Sequence, residues 1–427
     1  MLSLKKCLAF LPLLLLTSFS WSQNSEGVQG CSDTMSFSWV ISQALDLHPD
    51  LMNTQAKLAN FDAYDFNSKR KINPEFEYFA VGGREFTFSN PFLMSEARVW
   101  MFFQLGDKIG KRQQINQKDF ELTNSLQDQM KEGVIKELFK TLVRLRQINT
   151  ELEQYKNSLS VFKDILNRYT SRKYLYTEQQ VEGHIARIAR DHYEMRLKII
   201  EKEQQYLILS TKEATRFACN FSNISLGELD LNFPDAKTFF PSDIQYNTAL
   251  KSHEKNIQKK VAELNLENAK VIPDLKIGPM AQSYTTSGST FVTAGVAFVL
   301  PLPILDRNIG ARQLASVEIS QASLKRRVHE EMLKENFEHK HQHYKKFLEV
   351  LKDKEGTDDL KSKFSSAAQL FYQGKISIGL VIELQRQILE MKNTYHQAEM
   401  SALIELLDIY ELTGQLKVNK MLSLVDY

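Results

Sequence analysis

The stretch PLPILDRNIGARQ, residues 301–313, decides how the chain is read. Upstream of it, DLKIGPMAQSYTTSGSTFVTAGVAFVL alternates apolar and small or polar residues, and TTSGST reads as a tight turn, so the segment predicts a β-hairpin. Pro301 and Pro303 stop that hairpin, because proline has no N–H to give to a ladder and its fixed φ suits the edge of a helix. Asn308 and Gly310 supply the dihedrals the turn needs. A long amphipathic helix follows from about residue 309. A sheet is therefore ended firmly and handed on to a helix.

The same order occurs once before. EFEYFAVGGREFTFSNPFLMSEARVWMFFQL, residues 75–105, is aromatic and alternating, broken by Gly82-Gly83 and Asn90-Pro91. It predicts a first hairpin. From about Gly110 the period changes, and Leu138, Leu142, Leu145, Ile148, Leu152, Tyr155, Leu159, Phe162, Leu166 and Tyr169 recur at steps of three and four. That is a heptad-like seam in a helix too long for an ordinary globular element. Reversals at YTSRKYLYT and YQGKIS each lead into a further long helix. A helix over 37–72, closed by Pro74, precedes the first hairpin, and one over 243–271, closed by Pro273, precedes the second. Ile109, Gly110, Arg112 and Gln113 match Ile309, Gly310, Arg312 and Gln313 at one offset, and Tyr169–Lys173 match Phe371–Lys375 at nearly the same one. A near-constant offset over so long a span is a duplication. The expected organisation is a leader (1–22), an N-terminal arm (23–36), a first repeat (37–218), a linker (219–242), a second repeat (243–415) and a tail (416–427).

Composition agrees with a mainly helical protein. The 427 residues are 43% hydrophobic and 25% charged, with 17 glycines and 10 prolines. The formal charge is +2, and Lys5 and Lys6 account for it. A balance so near neutral points to no nucleic-acid partner. Those two lysines precede the apolar run CLAFLPLLLL and a Ser20-Trp21-Ser22 site, the pattern of a cleaved secretory signal. Cys7 is too early and Cys31 too late to carry a lipid, so lipidation is not expected. No later stretch is long and apolar enough for a transmembrane helix, so any membrane role must use strands.

Strands raise a difficulty of their own. Two hairpins make four strands, whereas an outer-membrane barrel needs at least eight. Open strand edges are not tolerated in lipid. A barrel must then be shared among chains, with eight strands from two copies or twelve from three. On β-alternation, Ala97, Val99, Met101 and Phe103, and Ala294, Val296, Phe298 and Leu300, belong outside. Glu96 and Arg98 belong in the lumen, with Trp100 and Phe102.

Three segments carry a family resemblance. ALDLHPDL (44–51) resembles an entry motif of Ala-Leu and Pro-x-Leu ahead of a helix. FYQGKISIGLVIELQRQILEMKNTYHQAEMSALIELLDIYELTGQL (371–416) resembles a C-terminal signature of aromatic-x-x-Gly, a Leu-rich stretch with Gln-Arg, and a closing Leu-x-x-Gly. LPLPILDRNIGARQ resembles a sheet-to-helix corner. In order and spacing these resemble the outer-membrane efflux proteins, the TolC-like outer-membrane factors, over about residues 37–415, nearest the heavy-metal (cobalt-zinc-cadmium type) branch. YTSRKY lacks the glycine that the second reversal has.

The resemblance implies a mainly α fold with a membrane β-barrel. Three chains would share a twelve-stranded barrel and a long α-helical coiled-coil tunnel. It implies an exit duct in the outer membrane of a Gram-negative bacterium, contacting outer-membrane lipid and projecting into the periplasm. The duct would work passively with a periplasmic adaptor and an inner-membrane pump and need no cofactor, and metal cations are one candidate cargo. A type I protein-secretion duct and a soluble periplasmic coiled-coil scaffold remain alternatives. No catalytic motif is found: there is no Walker A loop, Gly-x-Ser-x-Gly, His-Glu-x-x-His or Cys-x-x-Cys.

The residues singled out are few. Arg172, Lys173, Gly374, Lys375 and Ile376 stand at the reversals, which in the family meet the adaptor. Gly110, Pro301, Pro303, Asn308 and Gly310 mark the sheet-to-helix corners. In EHKHQHYKK, His339 and His343 share a helix face with Glu335, a weak candidate for Zn²⁺ or Cu²⁺, while His341 points away. Cys31 stands just before the first helix of repeat one and Cys219 just after its last. Helices that run out and return bring those ends to one height, so a disulfide between them is expected.

Overall fold

The structure is a computed structural model and describes residues 34–84, 91–171, 174, 176–216, 218–219, 223–225, 231–286, 289–304, 307–352 and 360–424. Its elements in order are β1 (Thr34–Ser36), α1 (Phe37–Leu47), α2 (Pro49–Ala59), α3 (Phe61–Ser68), β2 (Glu75–Arg84), β3 (Pro91–Phe103), α4 (Lys108–Thr170), α5 (Thr177–Ala214), β4 (Asn223–Ser225), α6 (Thr248–Ala269), β5 (Leu275–Thr286), β6 (Ser289–Val299), α7 (Ile309–Lys352), α8 (Leu360–Tyr372), α9 (Ile378–Leu412) and α10 (Val418–Leu422). The expected leader and Cys31 lie outside the described residues, as do Arg172 and Lys173 at the first reversal.

The helix expected over 37–72 is three. Pro49 cannot donate to the carbonyl four residues back, so α1 ends at Leu47 and Pro49 opens α2 at its first turn. A second break at Asn60 separates α3. Of the other long helices, α4, α5, α6 and α9 fall close to their expected spans, whereas the helix expected from about 309 to the second reversal is described as two, α7 to Lys352 and α8 from Leu360. α4 has 63 residues and measures about 95 Å.

Both hairpins join one antiparallel sheet in the order β2-β3-β5-β6, so each repeat supplies one hairpin and the junction is β3 with β5. Its register pairs Glu96 with Gln282 and Arg98 with Met280. Beneath the sheet, α4 packs on α2, α3 and α6, and α6 packs on α7. Farther along, α4 packs on α5 and α9, and α9 on α7 and α8.

Two apolar cores follow the helices. The larger surrounds the middle of α4 and contains Phe37, Ile41, Phe139, Leu142, Phe337, Tyr344, Leu406 and Tyr410. The second runs down the α4–α5 pair through Tyr155, Phe162, Ile165 and Tyr193. Beside these apolar residues, α4 and α9 also meet through buried polar side chains. Gln147 Nε2 donates to Glu399 Oε2 at 2.8 Å, His396 Nδ1 lies 2.9 Å from Glu151 Oε1, and Gln385 bonds Ser158.

The arm, linker and tail wrap the larger core. β1 pairs with β4 in parallel, Thr34 with Asn223. Leu416, Met421 and Leu424 are buried, and Asn232 N donates to Leu424 O at 2.9 Å. The expected tail is thus part of the packed structure: its apolar residues find a face there.

Candidate functional site: channel wall, corners and tip

The sheet sorts its side chains by charge. Cross-strand partners share a face, so Glu75, Glu77, Glu96, Arg98, Trp100, Phe102 and Lys276 lie on one side. They interact in two sets. Trp100 Nε1 donates to Glu77 Oε2 at 2.8 Å, Arg98 bridges Glu77 and Glu96, and Lys276 Nζ lies 3.2 Å from Glu75 Oε2. The opposite face carries Phe76, Tyr78, Ala97, Val99, Met101, Phe103, Val292, Ala294, Val296 and Phe298. Val292, Val296 and Phe298 are more than 70% exposed. The face is apolar and exposed, the composition a lipid-facing strand surface needs, since a charge at mid-depth of a bilayer costs several kcal/mol. The alternation read for β3 and β6 is the one observed.

The chain is also an open row at every level. The sheet ends on β2 at one side and β6 at the other, and among the described residues neither outer edge is paired. The helices below end on α2–α3 at one side and α7 at the other. Farther down, α5 ends the row opposite α7 and α8. All elements on one side come from repeat one and all on the other from repeat two. Both sides expose apolar residues: Leu314, Val317, Leu324 and Val328 on α7, and a seam on α5. That α5 seam runs Val181, Ile185, Ile188, His192, Met195, Ile199, Lys202, Tyr206 and Leu209 in strict steps of four and three. It is a second heptad face, separate from the one that meets α4.

The corners are built by left-handed residues immediately before the helices. Asp107 (φ 55°) precedes α4 and Asn308 (φ 54°) precedes α7. Asn308 Nδ2 donates to Glu267 O at 2.9 Å, which fixes the corner to α6. Asn308 thus plays the part expected of it, whereas Gly310 does not. Gly110 and Gly310 both lie inside the first turns of their helices. The open conformation falls on Gly106 (φ 76°) in the first repeat. Asp and Asn tolerate that region because their short side chains bond locally, which relieves the glycines of the task. Pro301 and Pro303 follow the end of β6 and, with Leu302, Ile304, Lys270, Val271 and Pro273, line an open groove of about 690 Å³.

At the far end, Gly374 takes φ 71°. Its N–H donates to Phe371 O at 2.9 Å and the Lys375 N–H to Leu370 O at 3.0 Å, a Schellman motif closing α8. Lys375 is exposed and Ile376 half-buried. The Arg168 guanidinium sits 4.0 Å from the Tyr372 ring centroid and the Tyr169 and Phe371 rings are 6.4 Å apart, so the two reversals stand side by side.

The histidine cluster does not assemble. Glu335 and His339 are exposed, and His343 Nδ1 turns to Glu405 Oε1 at 3.6 Å. Among the described residues no group of three or more His, Cys, Asp and Glu side chains could hold a metal ion. His341, the residue expected to point away, contacts the linker: its Nε2 is 2.7 Å from Ala236 O, and its ring stacks on Phe337. Tyr344 donates to Pro234 O at 2.7 Å beside it. Spacing alone could not show this, because the linker partner is about 100 residues away.

An ionic joint missed by the sequence reading holds three helices at this height. Lys136 on α4 reaches Asp408 at 2.6 Å and also Glu411, while Lys340 on α7 reaches Asp408 at 2.7 Å and Glu405 at 3.1 Å. Glu132 sits beside them, buried and hydrogen-bonded by Thr248. Burial, with Glu411 and Asp128 nearby, pushes its carboxyl up to about 7. Cys219 is buried and disulfide-bonded.

No family model matches the chain, and no curated protein matches it. Solved structures do. The CmeC outer membrane channel of Campylobacter jejuni superposes with a TM-score of 0.66 at 13% identity, covering 91% of this chain and 89% of that one. A membrane protein from Pseudomonas aeruginosa gives 0.65 at 10% identity, over 89% and 91%. The outer membrane protein VceC of Vibrio cholerae gives 0.63 at 12% identity, over 88% and 95%. Over nearly its whole length, the chain therefore has the fold of these membrane proteins, an outer membrane channel among them.

Proposed function

We propose that this chain is one third of a passive outer-membrane efflux duct. One observation carries the reading. The row is open at three levels, and its two sides are repeat one and repeat two at each of them. The junction of repeat one with repeat two inside the chain, β3 on β5 and α4 on α6, is then a template for the junction between copies. A second copy applies its β2 to the first one's β6. Such head-to-tail contacts close a ring when the rotation fits. Three copies give twelve strands, no open edge, and a lumen lined by the Glu77–Arg98–Glu96 ladder.

Energy comes from outside the chain, so an inner-membrane pump and a periplasmic adaptor are its partners in this reading. The side-by-side reversals at Arg168, Tyr372, Gly374 and Lys375, with Arg172 and Lys173, are the adaptor-facing tip. The corner motif favours metal cations as cargo, selected by the pump. The exposed apolar sheet face counts against a soluble scaffold.

The test is the mass of the detergent-extracted protein by native mass spectrometry, with conductance in planar bilayers. Three chains and a conducting pore are expected. A monomer extracted without detergent rejects the duct.

A further inference from the structure

The helix-side end of the sheet carries an arrangement that the duct does not need in order to conduct. β2 begins there and β6 ends there. The apolar outer row of β6, Val292 to Phe298, continues past the strand through Leu300, Leu302 and Ile304. Leu302 and Ile304 are 70% and 69% exposed, and Ile72 and Ile272 are exposed at the same end of the sheet. Cations stand at the same end of the sheet on both of its edges, Lys69, Arg70 and Lys71 ahead of β2 and Arg307 after β6. Lys69 is paired with Asp65 and Lys270 with Glu267. Arg70, Lys71 and Arg307 are exposed and, among the described residues, have no carboxylate or other side-chain partner. Arg112 pins this region by donating to Arg70 O at 2.8 Å and to Gln104 Oε1 at 2.9 Å, so the backbone bearing Arg70 is held against the corner.

We infer that Arg70, Lys71 and Arg307 bind the phosphate of an anionic phospholipid of the periplasmic leaflet, with its acyl chain lying over Leu302 and Ile304. This rests on the duct reading, because ring closure brings Arg307 of one copy toward Arg70 and Lys71 of the next. The occupant is identified by continuity and by charge. Exposed aliphatics follow the apolar outer row in sequence, and the unpaired cations come just after them, at the end of the sheet where phosphates of a bilayer would lie. Cations at such a surface each favour an anionic headgroup by about a factor of five.

The test uses the full-length protein reconstituted in phosphatidylcholine vesicles containing a trace of spin-labelled lipid. The fraction of motionally restricted label is compared for phosphatidylglycerol and phosphatidylcholine. Wild-type protein is expected to prefer phosphatidylglycerol at least roughly fivefold at low salt. The R70Q/K71Q/R307Q protein should insert equally well and lose that preference. Equal restriction of the two lipids by wild-type protein overturns the inference, as does an unchanged preference in the triple variant. Millimolar glycerol phosphate should leave the preference intact, and its loss would reassign the cations to a free phosphate. Failure of wild-type protein to enter vesicles at all overturns the duct itself. Insertion without lipid preference overturns only the headgroup site.

Discussion

Gly374 and Gly414 hold the same left-handed conformation for different reasons, and they should fail differently. Gly414, at φ 64°, closes α9 with its own Schellman bonds, and a Cβ there would stand 2.1 Å from the Tyr246 carbonyl oxygen. Backbone cannot yield that far. Gly414→Ala should therefore unfold the junction of linker and tail, with a loss of several kcal/mol in thermal or denaturant unfolding. A Cβ on Gly374 would meet no heavy atom within 4 Å, so only the conformational penalty remains, about 1–2 kcal/mol. Gly374→Ala should insert and assemble normally, and Gly374→Val should abolish export with assembly intact. Export by Gly374→Val at the wild-type rate would remove the tip from the adaptor contact.

Glu132 offers a pH test at the same scale. Its folded pKa is raised to about 7 from an ordinary 4.5, chiefly by burial. A carboxyl raised on folding favours the folded state below its unfolded pKa, and that advantage disappears as pH climbs through 7. At pH 8 the buried charge costs on the order of 3 kcal/mol. Glu132→Gln should thus raise the melting temperature clearly at pH 8 and little at pH 5. A gap that does not widen with pH would show that Glu132 is solvated in the assembled protein.

For elements, the governing fact is that each bears two faces with different destinations. β3 sends Glu96, Arg98 and Trp100 to one side and Ala97, Val99 and Met101 to the other, and neither face can be exchanged without a register slip. Spin labels at 97 and 99 should report lipid and a label at 98 should report water. Water at both 97 and 99 would invert the sheet. α5 is similar. Ala186, Ala189, Tyr193 and Ile200 are spent on α4, whereas the seam through Ile188, Met195 and Tyr206 stays exposed among the described residues. Charged substitutions such as Met195→Asp should leave the chain folded and prevent its assembly, as read by native mass spectrometry.

Across the whole molecule, the wrapping of both ends around the middle of the helices sets the long-range constraint. β1 pairs with β4 in parallel from Thr34 and Asn223 onward, and the two strands lead back, three and four residues earlier, to Cys31 and Cys219. Cys219 is disulfide-bonded, and the sequence's other cysteines are Cys7, in the segment expected to be a leader, and Cys31. We propose Cys31 as its partner. Non-reducing peptide mapping of envelope protein should recover the linked pair. Closing so long a loop contributes at most about 5 kcal/mol in the chain-entropy model, so reduction should lower the melting temperature. Free, alkylatable thiols at both positions would end the assignment.

Much of this architecture is legible in the residues alone, because it rests on local rules. Periods of two and of 3.5 separate hairpins from long helices, proline marks where each sheet stops, and a repeated order of elements reveals the duplication. Gly374 is a turn residue in any context. The rest depended on partners far apart in sequence. That His341 and Tyr344 hold the linker, that Lys136, Lys340 and Asp408 lock three helices, and that residues 416–424 belong to the core are facts of packing, with no period or motif to announce them. The corner shows the boundary most plainly. Sequence pattern placed a left-handed turn before α7 and chose both Asn308 and Gly310, but only the folded chain assigns it to Asn308. There the Glu267 carbonyl is within reach, and a hydrogen bond stabilises a conformation that glycine would merely have permitted.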